Sequence, residues 1–286
     1  MMNAHRSRHD LVISALFCPA NRPDRCLKAT RSGADLVIVD LEDSIAPAGK
    51  AAARVEMQRL LVQRTAVPLC PRINAIGSPW FADDVEVLAA SQHFSQVMMP
   101  KVQTPDEVAA LRGRMPGVRV RVLIENAVGI RNMAAIAATD GVLSMGIGEA
   151  DLASELGITD PKALEPIRVG LVVACRAAGL PAPMMSAYTD LNDDGGLVAA
   201  CRRARGQGFL GAQVVHPRQV PLVVDAFTPG AAEVRGAQEV LATLAAAAEH
   251  GSSVAVLQSG AMVDAAMARG AQLTLELASQ RSRRPT

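Results

Sequence analysis

Short apolar segments rich in β-branched residues alternate with segments of helical periodicity along most of this chain. Such a repeat predicts parallel strands joined by crossover helices, because each helix returns the chain to the edge at which the previous strand began. The strands are predicted at 11–19, 35–43, 67–74, 96–102, 118–126, 141–152, 183–190 and 211–217. The helices between them are predicted at 21–32, 47–62, 79–93, 105–114, 128–139, 161–178, 193–206 and 218–226.

An open sheet built from these units would have two exposed edges, whereas a closed barrel has none. We therefore predict an α/β fold, a single (β/α)₈ TIM barrel with a C-terminal helical extension. The chain of 286 residues is long enough, since such a barrel needs about 250 residues. The barrel is expected over 1–228 and the extension over 229–286, with helices at 231–250 and 260–279 that pack on the barrel or cover a neighbouring subunit.

Composition excludes several classes of function. Half of the residues are apolar and 20% are charged, which is too apolar for a disordered chain. The 29 Lys and Arg against 28 Asp and Glu give a net charge of +1 without a basic run in the folded part, so we expect no nucleic-acid partner. No apolar stretch approaches the ~20 residues of a membrane span, and the apolar run at 11–18 is interpreted as a strand rather than a signal peptide.

The cysteines indicate a reducing compartment. There are five of them, an odd number, and no C-x-x-C pair occurs. This pattern argues against a disulfide framework and against a structural zinc site. We expect a cytoplasmic protein whose cysteines are buried and inert.

Most of the predicted strands end in polar residues. In a barrel of this kind the active site forms at the carboxyl ends of the strands. Carboxylates that arrive there from three strands would repel each other unless a cation lay among them. Oxygen ligands favour Mg²⁺, with Mn²⁺ as the alternative, and two protein carboxylates with open positions suit a small oxyacid substrate. The residues at the ends of the predicted strands are Asp40, Glu42, Asp43, Arg72, Asn74, Lys101, Glu125, Glu149, Asp151 and His216.

Some of these residues have a structural alternative. Asp40, Glu42 and Asp43 are equally consistent with capping the second helix and pairing with Lys50 or Arg54. Glu125 follows a buried strand, where an unpaired carboxylate costs several kcal/mol, so a ligand or catalytic role is favoured.

Other polar residues leave similar alternatives. Arg72 suits a carboxylate or enolate binder, with a pair to Asp43 as its alternative. The glycines before Asp151 match a dinucleotide-binding loop only in part, and His216 is interpreted as structural.

A series of short motifs stands in a fixed order along residues 11–270. They are Leu16-Phe17-Cys18-Pro19-Ala20-Asn21, Lys28-Ala29 with Gly33-Ala34-Asp35, Asp40-Leu41-Glu42-Asp43-Ser44, Arg72-Ile73-Asn74-Ala75 with Pro79-Trp80, Met99-Pro100-Lys101-Val102, Leu123-Ile124-Glu125, Asp151-Leu152 with Leu156-Gly157, Gly208-Phe209-Leu210-Gly211 and His216-Pro217. As a set they resemble the HpcH/HpaI aldolase superfamily, in particular its citrate lyase β-subunit-like branch.

This resemblance implies a Mg²⁺-dependent carbon–carbon lyase that cleaves a malyl-, citramalyl- or citryl-CoA thioester to a 2-oxo acid and acetyl-CoA. It also implies a homotrimer or homohexamer. Glu125 and Asp151 would hold the metal, and Arg72, Asn74 and Lys101 would bind substrate. The expected catalytic residues are Arg72, which steadies the enolate, Asp43, and Asp264, an acid that reaches a neighbouring subunit's site.

The chain departs from the family pattern at several positions. Ala212 and Ala261 stand where lysines are usual, Asn126 replaces a threonine, and Ala265-Ala266 replaces the proline after Asp264. The missing lysines weaken the expected contacts to the phosphates of CoA. An acyl-CoA thioesterase, a barrel that binds acyl-CoA or an oxyacid without catalysis, and a CoA-independent hydroxy-acid aldolase therefore remain alternatives.

Overall fold

The computed structural model describes residues 12–91 and 93–282. Seven strands form one parallel sheet. In chain order they are β1 (Ser14–Pro19), β2 (Leu36–Asp40), β3 (Leu69–Arg72), β4 (Gln96–Met99), β5 (Arg119–Ile124), β6 (Val142–Ile147) and β7 (Ala212–Val214). Their order in the sheet is β6-β5-β4-β3-β2-β1-β7.

Helices connect the strands. They are α1 (Pro23–Ala29), α2 (Lys50–Leu61), α3 (Phe81–Ala89), α4 (Pro105–Arg114), α5 (Ala127–Ala137), α6 (Glu149–Leu156), α7 (Glu165–Ala177), α8 (Asp194–Gly206) and α9 (Gln219–Phe227). Short 3₁₀ turns at Pro47–Gly49 and Pro161–Leu164 precede α2 and α7. The α/β fold matches the prediction, and so does the order of these elements apart from α6 and the strand predicted at 183–190.

The predicted strand at 183–190 is reduced to two single-residue bridges. Met184 pairs in parallel with Gly146 of β6, and Met185 pairs in parallel with Ala212 of β7. Pro181 and Pro183 lack the backbone N–H groups that a continuous ladder needs. The structure therefore shows a seven-stranded parallel sheet and a bridging segment between its two outer strands.

The interior of the sheet is filled by one layer of side chains that the successive strands contribute. Because the members of this layer come from five strands and from the bridging segment, the sheet curves around a common core. The residues of the layer are Ala15, Leu36, Ile38, Cys70, Met98, Leu123 and Met184. All five cysteines are free and buried, as predicted.

Two predicted elements differ in the structure. The strand predicted at 141–152 ends at Ile147, because Gly148 breaks the ladder and the acidic residues Glu149 and Asp151 begin α6. The helix predicted at 260–279 begins only at Ala265, since Met262–Asp264 pairs with Val254–Val256 as an antiparallel hairpin.

The chain divides into a compact unit that runs to Val223 and a second unit that begins at Val224. The second unit contains α10 (Ala231–Glu249), the hairpin strands β8 (Val254–Val256) and β9 (Met262–Asp264), and α11 (Ala265–Ser282). Within it, α10 packs along α11 and against both hairpin strands. In the described parts of the chain, no helix combines the length and apolar character needed to cross a bilayer.

Candidate active site

The predicted polar residues meet at the carboxyl ends of β2 to β6. In the parallel register Asp40 of β2 lies opposite Arg72 of β3, and Arg72 lies opposite Met98 of β4. On the far side, Ile124 at the end of β5 lies opposite Ile147 at the end of β6. The residues that follow these strands are therefore brought to one edge of the sheet, as parallel strands require.

Arg72 forms a buried bidentate pair with Asp40. Its Nε donates to Asp40 Oδ1 at 2.6 Å and its Nη2 donates to Oδ2 at 2.8 Å. Burial alone would raise the pKa of Asp40, but the guanidinium outweighs it and holds that pKa below its usual value. The pair fixes the plane of the guanidinium, whose Nη1 is left facing Glu42 and Asp43.

Residues 40–44 form a tight acidic turn after β2. The Asp40 carboxylate accepts hydrogen bonds from the backbone N–H of Glu42 at 2.8 Å and of Ser44 at 3.2 Å. Asp40 therefore has two roles, because it stabilises the turn and also holds the guanidinium of Arg72. The carboxylates of this turn pair with Arg72 and Lys101, whereas the sequence left a pairing with Lys50 or Arg54 open.

Glu42 is the buried carboxylate of the acidic turn, with 5% of its surface exposed. Its Oε1 accepts from Lys101 Nζ at 2.8 Å. Its Oε2 lies 2.8 Å from Arg72 Nη1 without hydrogen-bond geometry, and has no hydrogen-bond donor among the residues described. Burial raises the pKa of Glu42 despite both cations.

Asp43, the predicted catalytic carboxylate of this turn, is more exposed than Glu42. Its side chain is 55% exposed and lies 3.3 Å from Arg72 Nη1 and 3.4 Å from Lys101 Nζ. The spacing of adjacent acidic residues in a turn does not indicate which of them is buried, so no separate role for Glu42 could be predicted.

Lys101 connects the two sides of the site. It is the one non-glycine residue with positive φ in the described chain, at 55°, a left-handed conformation that carries strain. This conformation directs its backbone N–H to Glu125 Oε2 at 2.9 Å, while its Nζ lies 3.8 Å from Asp151 Oδ1. Burial lowers the pKa of Lys101, but the hydrogen bond and charge of Glu42 raise it above its usual value.

Glu125 is buried directly after β5, with 5% of its surface exposed. Burial, assisted by the negative charge of Glu42, raises its pKa to about 7. Gly148, which precedes α6, lies against this side chain, since a Cβ at that position would lie 2.2 Å from Glu125 Oε1. Only glycine leaves room there for the carboxylate.

Asp151 lies in the first turn of α6 rather than at a strand end as predicted. Its side chain is 43% exposed and its Oδ1 faces Lys101 Nζ. Its neighbour Glu149 is turned elsewhere and forms a bidentate pair with Arg168 of α7. Glu125 and Asp151 are therefore the two acidic groups that approach Lys101 from the β5–β6 side.

These two carboxylates fit a divalent cation of a particular kind. In the described residues, no group of three or more His, Cys, Asp or Glu side chains is arranged to hold a metal ion. Mg²⁺ is commonly held by one or two carboxylates, with substrate oxygens and waters in the other positions. The pKa of Glu125 is raised although the charges of Arg72 and Lys101 act to lower it, and a bound cation would further favour the ionised carboxylate. The donor set therefore fits Mg²⁺ with open coordination positions.

Asn74, predicted to bind substrate, is enclosed in a buried polar network. Its Nδ2 donates to Asp84 Oδ2 at 2.6 Å, and its Oδ1 accepts from Lys50 Nζ at 2.7 Å. Asp84 in turn accepts from Arg54 Nε at 2.7 Å. The structure thus places Asn74 beneath the acidic turn, with its amide engaged by protein groups.

Asp264, predicted to be an acid, ends β9 in the second unit of the chain. Its Oδ1 accepts from the backbone N–H of Ala266 at 2.9 Å, which satisfies one of the free donors at the start of α11. Ala212, at the first lysine position of the family pattern, is fully buried in β7.

This chain is similar to several known proteins. A family model described as HpcH/HpaI aldolase/citrate lyase matches residues 14–217. An L-malyl-CoA/beta-methylmalyl-CoA lyase from Cereibacter sphaeroides is 32% identical, over 92% of this chain and 93% of the relative. A (3S)-malyl-CoA thioesterase from the same species is also 32% identical, over 85% of this chain and 87% of the relative.

A solved structure shares the fold at nearly full length. The structure of CitE from Mycobacterium tuberculosis, in complex with magnesium, acetoacetate and coenzyme A, matches with a TM-score of 0.81 and 31% sequence identity. The match covers 95% of this chain and 99% of CitE.

Proposed function

Since this chain belongs to the HpcH/HpaI aldolase/citrate lyase family, we propose that it is a Mg²⁺-dependent carbon–carbon lyase that acts on 3-hydroxyacyl-CoA thioesters of the malyl-, citramalyl- or citryl-CoA type. The observation that carries this proposal is the pair of carboxylates, Glu125 and Asp151, that converge on Lys101 from β5 and α6. The malyl-CoA lyase relative and the CitE structure with magnesium and coenzyme A support the substrate class.

Cleavage of a malyl-CoA thioester breaks the bond between the hydroxyl-bearing carbon and the carbon next to the thioester. The hydroxyl loses its proton and becomes the carbonyl of a 2-oxo acid. The bonding electron pair stays on the carbon next to the thioester as an enolate, and one proton then converts this enolate into acetyl-CoA. The protein must therefore favour loss of the hydroxyl proton, stabilise the enolate and supply a proton.

Glu125 and Asp151 would hold the metal. Their carboxylates supply oxygen ligands, and two such ligands leave coordination positions open for water and substrate. When bound, Mg²⁺ supplies a Lewis acid that lowers the pKa of the substrate hydroxyl. Gly148 and the N–H of Lys101 keep the Glu125 carboxylate in place for this role. Mn²⁺ satisfies the same oxygen ligands and is the alternative ion.

Arg72 and Lys101 would stabilise the negative charge of substrate and enolate. The pair with Asp40 holds the guanidinium of Arg72 rigid, so its orientation costs little when substrate binds. The ammonium of Lys101 lies between the two groups of carboxylates. Asn74 is proposed to contribute through the position of the acidic turn, and Asp43 is the exposed carboxylate next to both cations.

Asp264 is proposed to protonate the enolate in the site of a neighbouring subunit. The functional unit would then be a homotrimer or homohexamer, with residues 1–228 as the catalytic barrel and 229–286 as the extension. We further propose that the bridging segment at Met184 and Met185 closes the sheet into an eight-fold barrel, which its bridges to β6 and β7 support. The free cysteines are consistent with a cytoplasmic protein.

Hydrolysis of the thioester is the second candidate function. The (3S)-malyl-CoA thioesterase relative is as similar in identity as the lyase relative, so identity alone does not separate the two reactions. A barrel that binds acyl-CoA or an oxyacid without catalysis and a CoA-independent hydroxy-acid aldolase are the remaining alternatives.

One assay distinguishes these functions. The purified protein is incubated with malyl-CoA, citramalyl-CoA, citryl-CoA and the corresponding free acids, with Mg²⁺ or with EDTA. A dehydrogenase couple measures the 2-oxo acid, and a thiol reagent measures free CoA. The proposal expects Mg²⁺-dependent release of a 2-oxo acid from a thioester, with no free thiol. Free CoA without a 2-oxo acid would identify a thioesterase, activity on free acids would identify an aldolase, and no product would indicate a binding protein.

A further inference from the structure

The first residue of α2, Lys50, is a buried lysine beneath the acidic turn, with 5% of its surface exposed. Its Nζ donates three hydrogen bonds, to the backbone carbonyl of Leu41 at 2.7 Å, to that of Glu42 at 2.6 Å and to Asn74 Oδ1 at 2.7 Å. All three acceptors are neutral oxygens. The ammonium therefore binds the turn through its backbone rather than through its carboxylates.

The acidic turn is held from two directions. The Asp40 carboxylate accepts from the N–H groups of Glu42 and Ser44, and Lys50 donates to the carbonyls of Leu41 and Glu42. Because donors and acceptors of the same short segment are both engaged, the backbone of the turn has little freedom. This determines where the Glu42 side chain leaves the backbone and how it reaches Lys101 and Arg72.

A lysine is a costly choice at this position. Burial lowers the pKa of Lys50, which reflects the cost of removing its charge from water. A cation at the beginning of a helix is also disfavoured by the helix dipole. Residues that violate such local preferences are concentrated at functional sites. The nearby carboxylates and the Trp80 ring, whose centroid lies 4.9 Å from Nζ, offset part of this cost. The triple hydrogen bond adds contacts to the turn that no apolar side chain of similar length can replace.

We propose that Lys50 is a positioning residue of the active site, which fixes the acidic turn so that Glu42 is held between Lys101 and Arg72. This inference rests on the proposed function for its kinetic consequence. Its structural consequence, the rigidity of the turn, does not depend on the reaction. Lys50 acts through Glu42 and is not assigned a contact with substrate.

Arg54 provides a matched control on the same helix. It is also a buried cation of α2, and its Nε donates to Asp84 Oδ1 at 2.7 Å. Its contacts are with Asp83, Asp84 and the carbonyl of Trp80, and it makes none with the turn. Arg54→Met therefore disturbs the buried network at a similar depth, whereas Lys50→Met removes the donor that the turn uses.

The test is amide hydrogen exchange of residues 41–46, measured by mass spectrometry on the full chain. In the wild-type protein, the N–H groups of Glu42, Ser44 and Ile45 are hydrogen-bonded and should exchange as slowly as those of β2. Lys50→Met should accelerate exchange of the turn at least tenfold while β2 remains protected. Arg54→Met should leave the turn at the wild-type rate.

Kinetics supply the second readout. With saturating Mg²⁺ we expect kcat/KM to fall at least tenfold in Lys50→Met and less than threefold in Arg54→Met. Both variants are assayed at a temperature well below their Tm values, so that loss of folded protein does not contribute. Equal exchange rates of the turn in the two variants, or fast exchange of the turn in the wild-type protein, would overturn the proposal.

Two further cases are decided by the same data. If Lys50→Met does not fold, Lys50→Gln replaces it in both measurements and is compared with Arg54→Met in the same way. If the wild-type protein cleaves no thioester, the proposed function fails while the exchange result still decides the role of Lys50.

Discussion

Gly148→Ala is expected to weaken metal binding strongly although it replaces no charged residue. Gly148 has φ −106° and ψ 89°, a conformation that alanine can adopt. Its added Cβ would lie 2.2 Å from Glu125 Oε1, 2.6 Å from Cγ and 2.8 Å from Cδ. Real Cβ atoms do not approach heavy atoms closer than 3.0 Å, so Oε1 must move by at least about 0.8 Å.

The size of that movement determines the expected effect. Ligand distances at a metal site tolerate changes of only about 0.2 Å, so the displaced Glu125 can no longer serve as a ligand. Disturbing a partner of a ligand already costs about 10–100-fold in affinity, and we expect a loss of about 100-fold here. Overpacking adds a destabilisation of about 1–3 kcal/mol.

The assay compares Gly148→Ala with Gly113→Ala, where an added Cβ meets nothing within 4 Å. Mn²⁺ binding is measured by electron paramagnetic resonance, and the Mg²⁺ dependence of thioester cleavage is measured in parallel. Gly113→Ala should match the wild-type protein in both. A folded Gly148→Ala protein that binds Mn²⁺ within threefold of wild type would refute the placement of Glu125 as a metal ligand.

The other predictions concern the charged residues of the site. Glu125→Gln and Asp151→Asn should each abolish Mg²⁺-dependent cleavage and Mn²⁺ binding while circular dichroism stays unchanged; full activity of either at limiting Mg²⁺ would contradict the metal site. Arg72→Lys keeps the positive charge but removes the planar guanidinium that binds carboxylates through two nitrogens. It should cost about 2 kcal/mol in transition-state binding, roughly a thirtyfold drop in kcat/KM. A variant with kcat/KM within twofold of wild type would leave Arg72 as the structural partner of Asp40. Asp264→Ala should be nearly inactive alone, yet co-expression with Glu125→Gln should restore part of the activity in mixed oligomers, because some sites combine an intact metal centre with an intact acid. An active Asp264→Ala protein would remove that acid from the mechanism.

The strands could be predicted because buried parallel strands are continuous apolar runs. Their ends could not, since periodicity does not mark the last hydrogen-bonded pair. The strand predicted at 35–43 pairs only over Leu36–Asp40, and the polar residues that followed it form a turn. That turn contains most of the negative charge of the site. Because the predicted strand extended over it, the ion pairs of these carboxylates could not be predicted.

Helix α6 and the β8–β9 hairpin were not predicted, for separate reasons. Helix α6 is short and begins two residues after the end of β6. The strand predicted at 141–152 therefore extends over the first turn of this helix. The strands β8 and β9 have three residues each, and Val263 is their one buried side chain, so they are too short for an alternating apolar pattern to mark them. Both are cases in which tertiary context decides between weak local preferences.

The candidate site was predictable in its residue types and not in its pairings. Glu125, Arg72 and Lys101 stood out because each follows an apolar strand. The burial of Glu42 beside the exposed Asp43 depends on how the turn is held, and that depends on Lys50, which lies several residues away on α2. A lysine bound to backbone carbonyls leaves no trace in the sequence beyond its charge.

The charges of the assembled site explain why its two-carboxylate arrangement and an anionic substrate belong together. Three cations, Lys50, Arg72 and Lys101, lie among the carboxylates, so with every group ionised the acidic residues exceed the basic ones by two. A substrate carboxylate entering such a site would be repelled, most strongly beside the buried Glu42 and Glu125, where water screens charge least. A divalent cation restores neutrality and places positive charge where the substrate oxygens arrive. Of the five described carboxylates, Glu125 and Asp151 are the two that form no ion pair with Arg72, so the excess negative charge lies where the ion would bind. The five carboxylates are Asp40, Glu42, Asp43, Glu125 and Asp151.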